Sequence, residues 1–131
     1  MMELLVAYDR SDESQHALEL AKKYAGVFSV KIHVLTSTPY GPELETKEYE
    51  DAKDALEQVE KSLTKEGFAC EIHLIQRSLS PGEDVVEFAR SKSIEMIIMG
   101  IKKRSRLNKF IMGSTAQYVI LEADCPVVTV K

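Results

Sequence analysis

Only two cysteines, Cys70 and Cys125, occur in 131 residues. They have neither metal-ligand nor redox spacing, which sets aside a cysteine metal site and a thiol redox motif. They are expected as buried thiols. No apolar stretch reaches the roughly 20 residues that a membrane span needs. The opening Met1-Met2-Glu3-Leu4-Leu5-Val6 lacks the basic region of a signal peptide and reads as a strand. By elimination, the expected location is the cytoplasm. Cations are outnumbered, 17 to 21, for a net charge of −4. That balance argues against nonspecific affinity for nucleic acid. Histidine is scarce too: His16 falls in a helical stretch, and His33 and His73 fall in strands. None has a partner at ligand spacing, so all three are read as structural and no metal site is expected. Internal repeats and low-complexity tracts are absent.

What remains is ordinary globular composition, 44% hydrophobic and 29% charged. It is enough for one domain, residues 1–131, with a core that needs no staple. Short apolar runs at Leu4–Tyr8, Val30–Leu35, Glu71–Ile75, Met96–Met99 and Val127–Val130 read as strands. Stretches of helical period lie between them. The first spans about Asp12 to Ala25, with Gly26 as its stop. The second spans about Thr46 to Glu66 and carries a stripe of Tyr49, Ala52, Leu56, Val59 and Leu63, closed by Gly67. The third opens on Ser80-Pro81-Gly82-Glu83, a capping box with proline in the first turn. The fourth opens on Gly113-Ser114-Thr115, with Ala116, Val119 and Ile120 inward.

This β-α-β-α-β-α-β-α-β order demands parallel strands joined by right-handed crossovers. The fold class is therefore α/β: a single open five-stranded parallel sheet with helices on both faces, expected in strand order 3-2-1-4-5. Ser37-Thr38-Pro39-Tyr40-Gly41-Pro42-Glu43 is rich in turn formers and reads as an irregular stretch, either a flap over a ligand or a plain connector.

The chemistry gathers at the carboxyl ends of the strands, where such sheets bind ligands. Asp9 follows the first strand, where a carboxylate can accept hydrogen bonds from a base or ribose, or simply help cap the next helix. From Met99 the chain reads M-G-I-K-K-R-S-R-L-N-K-F-I-M-G-S-T. Gly100 closes a strand and Gly113-Ser114-Thr115 opens a helix, whose free N–H groups favour an anion. Lys102, Lys103, Arg104, Arg106 and Lys109 lie between, as a solvated face or as an attraction for phosphate. Neither G-x-x-x-x-G-K-[ST] nor G-x-G-x-x-G occurs, which weakens the P-loop and Rossmann readings.

Taken together, Val6-Ala7-Tyr8-Asp9 with Ser11 and Ser14, Ile32-His33-Val34, Ile97 to Gly100, Gly113-Ser114 and Ala123 to Val130 resemble a universal stress protein domain along essentially the whole chain. Nucleotide-binding members carry G-x2-G-x9-G-[ST]. Gly100, Gly113 and Ser114 fill the first, third and last positions, whereas the second is Lys103. The resemblance implies a site for ATP or another adenine nucleotide, with or without Mg²⁺ or Mn²⁺. Asp9 and Val34 would face the adenine, with Ala7 nearby. Gly100 would approach ribose and phosphate beside Met99, and Gly113, Ser114 and Thr115 would hold the phosphates. Lys103 either closes the site, leaving no cofactor, or reaches a phosphate with its ammonium group.

Three functions follow. The first is a stress-response or regulatory module that binds an adenine nucleotide and switches conformation or partners. The second is a dimeric interaction module of the same fold without nucleotide. The third is a slow ATPase, for which no catalytic acid, base or metal set is evident. Val127-Val128-Thr129-Val130 is an apolar edge strand near the chain end, from which a homodimer is expected. The resemblance implies dimers too. Protein partners stay unnamed, a membrane is not expected, and nucleic acid is disfavoured for want of interleaved aromatics.

Overall fold

The computed structural model describes residues 1–39, 44–77, 79–102 and 112–131. In chain order the elements are β1 (Met2–Ala7), α1 (Asp12–Val27), β2 (Val30–Pro39), α2 (Leu44–Lys65), β3 (Ala69–Arg77), α3 (Pro81–Ser91), β4 (Met96–Gly100), α4 (Ser114–Glu122) and β5 (Val127–Val130). The strands form one parallel sheet in the order β3-β2-β1-β4-β5. The sheet therefore turns outward in both directions from β1, and a topological switch point lies between β1 and β4.

Two apolar layers follow from the two-residue period of the strands. Leu4 and Val6, Ile32 and Val34, and Ile98 face α1 and α2, where Ala17, Leu18, Ala21, Leu56, Val59 and Leu63 cover them. Leu5, Leu35, Ile97 and Met99 face the opposite way, under Val85, Val86, Phe88 and Ala89 of α3 and Ala116 and Val119 of α4. The middle strand is thus covered on both sides, and Leu4, Leu5 and Val6 are all fully buried. This explains why it reads as a continuous apolar run instead of alternating.

Local signals place the helix starts. Ser11 caps α1 by accepting from the Ser14 N–H at 3.1 Å. Ser80 caps α3, accepting from the Glu83 N–H at 3.3 Å while its hydroxyl donates to the Glu83 carboxylate at 3.0 Å. Gly67 takes φ of +87° after α2, a conformation that its lack of Cβ permits.

Several expectations are corrected. Gly26 does not stop α1, which runs on to Val27 and ends at Phe28, because the Phe28 N–H still bonds to the Tyr24 carbonyl at 2.8 Å. Ser37, Thr38 and Pro39 are not irregular. They extend β2 by pairing with Ile75, Gln76 and Arg77 of β3, and that partner strand overrides their turn propensity. Residues 40–43 of that stretch lie outside the described residues. Ile120 is 40% exposed, because α4 is held by Ala116 and Val119 alone. Cys70 and Cys125 are half-buried free thiols instead of fully buried ones. Among the described residues no helix is long and apolar enough to cross a membrane.

Candidate functional site

At the carboxyl ends of β1 and β4 the strands separate toward opposite crossovers and leave a cleft of about 360 Å³. Ala7 and Asp9 come from the end of β1, and Met99, Gly100 and Lys102 from the end of β4. Gly113, Ser114 and Thr115 come from the start of α4. Seven of the nine residues that the sequence singled out therefore share one cavity. Lys103 lies outside the described residues, as do Arg104, Arg106 and Lys109.

Val34 is placed elsewhere. Its side chain is fully buried in the layer beneath α1 and α2. The alternation of β2 brings its neighbour Leu35 to the cleft instead, together with Ser37. Leu35 pairs in register with Ala7, so a cleft residue on β1 and the strand period would have located it. Ser37 lies among turn-forming residues whose composition points to a loop, and only pairing with Ile75 makes it strand. Its hydroxyl donates to Asp84 Oδ2 at 2.7 Å. Asp84, in the first turn of α3, is only 5% exposed.

The Asp9 wall is tightly arranged. Arg10 adopts φ of +68°, the left-handed turn that reverses the chain from strand to helix. The turn brings Ser11 back onto Asp9, whose Oδ1 accepts from the Ser11 N–H at 3.0 Å and from the Ser11 hydroxyl. Burial works to raise the Asp9 carboxyl. The Ser11 hydroxyl and N–H, Ser14 and the Lys102 charge outweigh it and hold Asp9 below the usual carboxylate range. Asp9 thus braces the cap residue Ser11 with one oxygen, and its residue remains solvent-exposed at the cleft.

The two glycines differ in kind. A Cβ on Gly100 would lie 2.3 Å from the Glu13 backbone carbon and 2.6 Å from the Ser14 N. Close packing of β4 against the start of α1 requires that glycine. Among the described residues a Cβ on Gly113 would meet nothing within 4 Å, and its φ of −67° suits any residue. Neither packing against those residues nor backbone conformation demands a glycine there. Gly113 is also the N-cap of α4 and can offer no side chain to the helix, whose first turn contains no acidic residue. By contrast α1 and α3 have serine caps followed by Asp12 and Glu13, and by Glu83 and Asp84. Among the described residues no side chain caps the α4 start, the kind of helix end that favours an anion, and it lines the cleft.

A second cluster corrects the reading of the histidines. His33 and His73, forty residues apart and expected to lack partners, meet across β2 and β3 with Nδ1 of His33 3.0 Å from Nε2 of His73. Sequence spacing cannot show a contact made by pairing strands on either side of α2.

The architecture is a doubly wound α/β sheet with a polar cleft at its switch point, the place where sheets of this class bind ligands. Within that class the chain belongs to the universal stress protein family, which it matches over residues 1–131. It is 31% identical over 141 aligned positions to a universal stress protein of Methanocaldococcus jannaschii, covering 98% of this chain and 81% of that one. It is 29% identical over 134 positions to one of Thermus aquaticus, covering 98% and 97%. Among solved structures, a universal stress protein from Archaeoglobus fulgidus superposes with a TM-score of 0.85 at 33% identity, over 100% of this chain and 94% of that one. A structure of the universal stress protein from that organism in complex with dAMP superposes with a TM-score of 0.81 at 32% identity, over 100% and 98%.

Proposed function

We propose that the cleft binds an adenine nucleotide and that the protein acts as a stress-response or regulatory module, changing conformation or partners with occupancy. The observation that carries this reading is the open start of α4. Its N-cap is a glycine that neither packing among the described residues nor φ requires, facing a cavity shared with Asp9, Lys102, Ser114 and Thr115. Free N–H groups, two hydroxyls and a lysine suit phosphate. The Asp9 carboxylate, braced by Ser11, suits the ribose or base. The dAMP complex of the Archaeoglobus fulgidus relative supports the nucleotide class. Leu35 and Met99 supply apolar wall, and Ala7 leaves room beside them.

Binding itself is the proposed activity, with the nucleotide free or as its Mg²⁺ or Mn²⁺ complex. The protein is proposed to work in the cytoplasm as a homodimer joined along β5. Calorimetry on nucleotide-stripped protein with ATP and with AMP is expected to show saturable heat. Absence of heat at millimolar nucleotide would end the proposal. The chain has no tryptophan, so a copurifying nucleotide also shows directly as excess absorbance at 260 nm over 280 nm.

A further inference from the structure

The face of the sheet that carries Leu35 and Ser37 into the cleft carries a different set of residues toward its amino-terminal end. Glu3 on β1, Lys31 and His33 on β2, and Glu71 and His73 on β3 all project from it, because Glu3 pairs with Lys31 and His33 pairs with Glu71 in the parallel register. Nδ1 of His33 and Nε2 of His73 stand 3.0 Å apart, and Oε1 of Glu71 is 3.8 Å from Nε2 of His73. One donor atom from each of the three residues lies within 4.8 Å of the others.

We propose that His33, His73 and Glu71 form a binding site for a single divalent cation of the zinc class, separate from the nucleotide cleft. The supporting groups are already arranged as such a site needs. Nε2 of His33 lies 2.5 Å from Oε2 of Glu3. The carboxylate takes the Nε2–H, which leaves the Nδ1 lone pair directed at the cluster. A carboxylate behind a ligating imidazole fixes the ring and raises its basicity. Glu71 is divided between two tasks: its Oε2 pairs with Lys31 Nζ at 2.8 Å, and its Oε1 faces His73. Phe88 of α3 packs over both rings, 4.5 Å from that of His73 and 6.2 Å from that of His33. The rings are themselves stacked 5.2 Å apart. His33 is thus buried and immobilised, whereas Glu71 is 44% exposed and leaves an approach from solvent.

The donor set selects the metal. Two imidazole nitrogens and one carboxylate suit zinc, with water completing the tetrahedron, and do not suit the all-oxygen shells of calcium or magnesium. Zinc bonds to nitrogen and oxygen at about 2.0–2.2 Å, so the ligand atoms of a tetrahedral ion stand about 3.4 Å apart. The exposed Glu71 side chain therefore swings inward by about 1–1.5 Å. In the metal-free state Nε2–H of His73 donates to Nδ1 of His33. The cation takes the place of that proton, which moves to Nδ1 of His73.

The test is titration of the chelator-treated, nucleotide-free protein with Zn²⁺ against a chromophoric competitor, and with Co²⁺ by visible absorption. One equivalent of Zn²⁺ should bind, and Co²⁺ should give the intense bands of a four-coordinate site. His73→Ala should abolish both while leaving the far-ultraviolet dichroism unchanged, with a lowered metal-free Tm from the lost contacts to His33 and Phe88. Glu3→Gln, which keeps the side-chain shape and removes the orienting carboxylate, should weaken Zn²⁺ by about 10–100-fold. If His73→Ala fails to fold, Glu71→Gln at the exposed rim provides the same comparison and should also lose the Co²⁺ bands. Equal Zn²⁺ uptake by the wild type and these variants, or no uptake by the wild type at tenfold excess, would overturn the site. No nucleotide enters the assay, so its outcome is independent of the cleft.

Discussion

At the residue scale, Gly100 and Gly113 differ in what packing asks of them among the described residues. Gly100→Ala drives a methyl into the α1 backbone and should destabilise the fold by more than about 1 kcal/mol, read as a lower denaturant midpoint. Gly113→Val places its side chain in open space at a permissive φ. It should lower the midpoint by no more than the roughly 1 kcal/mol of a poorer N-cap while abolishing the calorimetric heat of nucleotide. A variant that binds nucleotide as the wild type does would remove the α4 start from the site. Asp9 provides a pH signature. Its native carboxyl lies below the ordinary value of about 3.9, so the charged form is what the fold favours. The stability it contributes is fully present above that ordinary value and is lost as pH falls through the lower native one. The stability gap between wild type and Asp9→Asn should therefore be constant near neutrality and close below about pH 4.

At the scale of elements, the described N-caps of α1, α3 and α4 share one geometry and differ in chemistry. Ser11 and Ser80 satisfy the first N–H groups of α1 and α3 with their side chains, whereas Gly113 has no side chain to offer those of α4. Ser80→Ala should cost about 1 kcal/mol of stability in urea unfolding without altering nucleotide affinity. An affinity loss with it would mean that α3 contributes more to the cleft than the Pro81 and Val85 side chains. These starts were legible because capping is local: Ser80 and Glu83 are three residues apart. The ends of β2 and β3 were not, because Ser37–Pro39 become strand only when Ile75–Arg77 lie alongside.

For the whole molecule, the order β3-β2-β1-β4-β5 leaves β5 with a free edge among the described strands. Pro126 and Val130 give their carbonyls to the N–H groups of Ile97 and Ile101. By strand alternation Val128 also faces β4, and the Thr129 N–H faces outward. Light scattering at micromolar concentration should show a dimer. Thr129→Pro, which removes an outward donor and spares the β4 ladder, should shift it to monomer with the sheet intact. A wild-type monomer would exclude the edge pairing.

Apolar periodicity and caps by themselves determined the element order and the parallel sheet, because each rests on residues close in sequence. Asp9, Gly100 and Gly113 to Thr115 could be placed at one edge because a parallel sheet delivers all its strand ends there, whereas Ala7 and Met99 came from the family resemblance. Only the tertiary structure decided which face each strand residue takes. It moved Val34 into the core and brought Leu35 and Ser37 to the cleft. It also showed that, among the described residues, Gly100 serves packing where Gly113 does not, since that depends on how closely α1 approaches β4. And it alone joined His33, His73 and Glu71, whose contact is made by the register between two strands that a 22-residue helix separates in the chain.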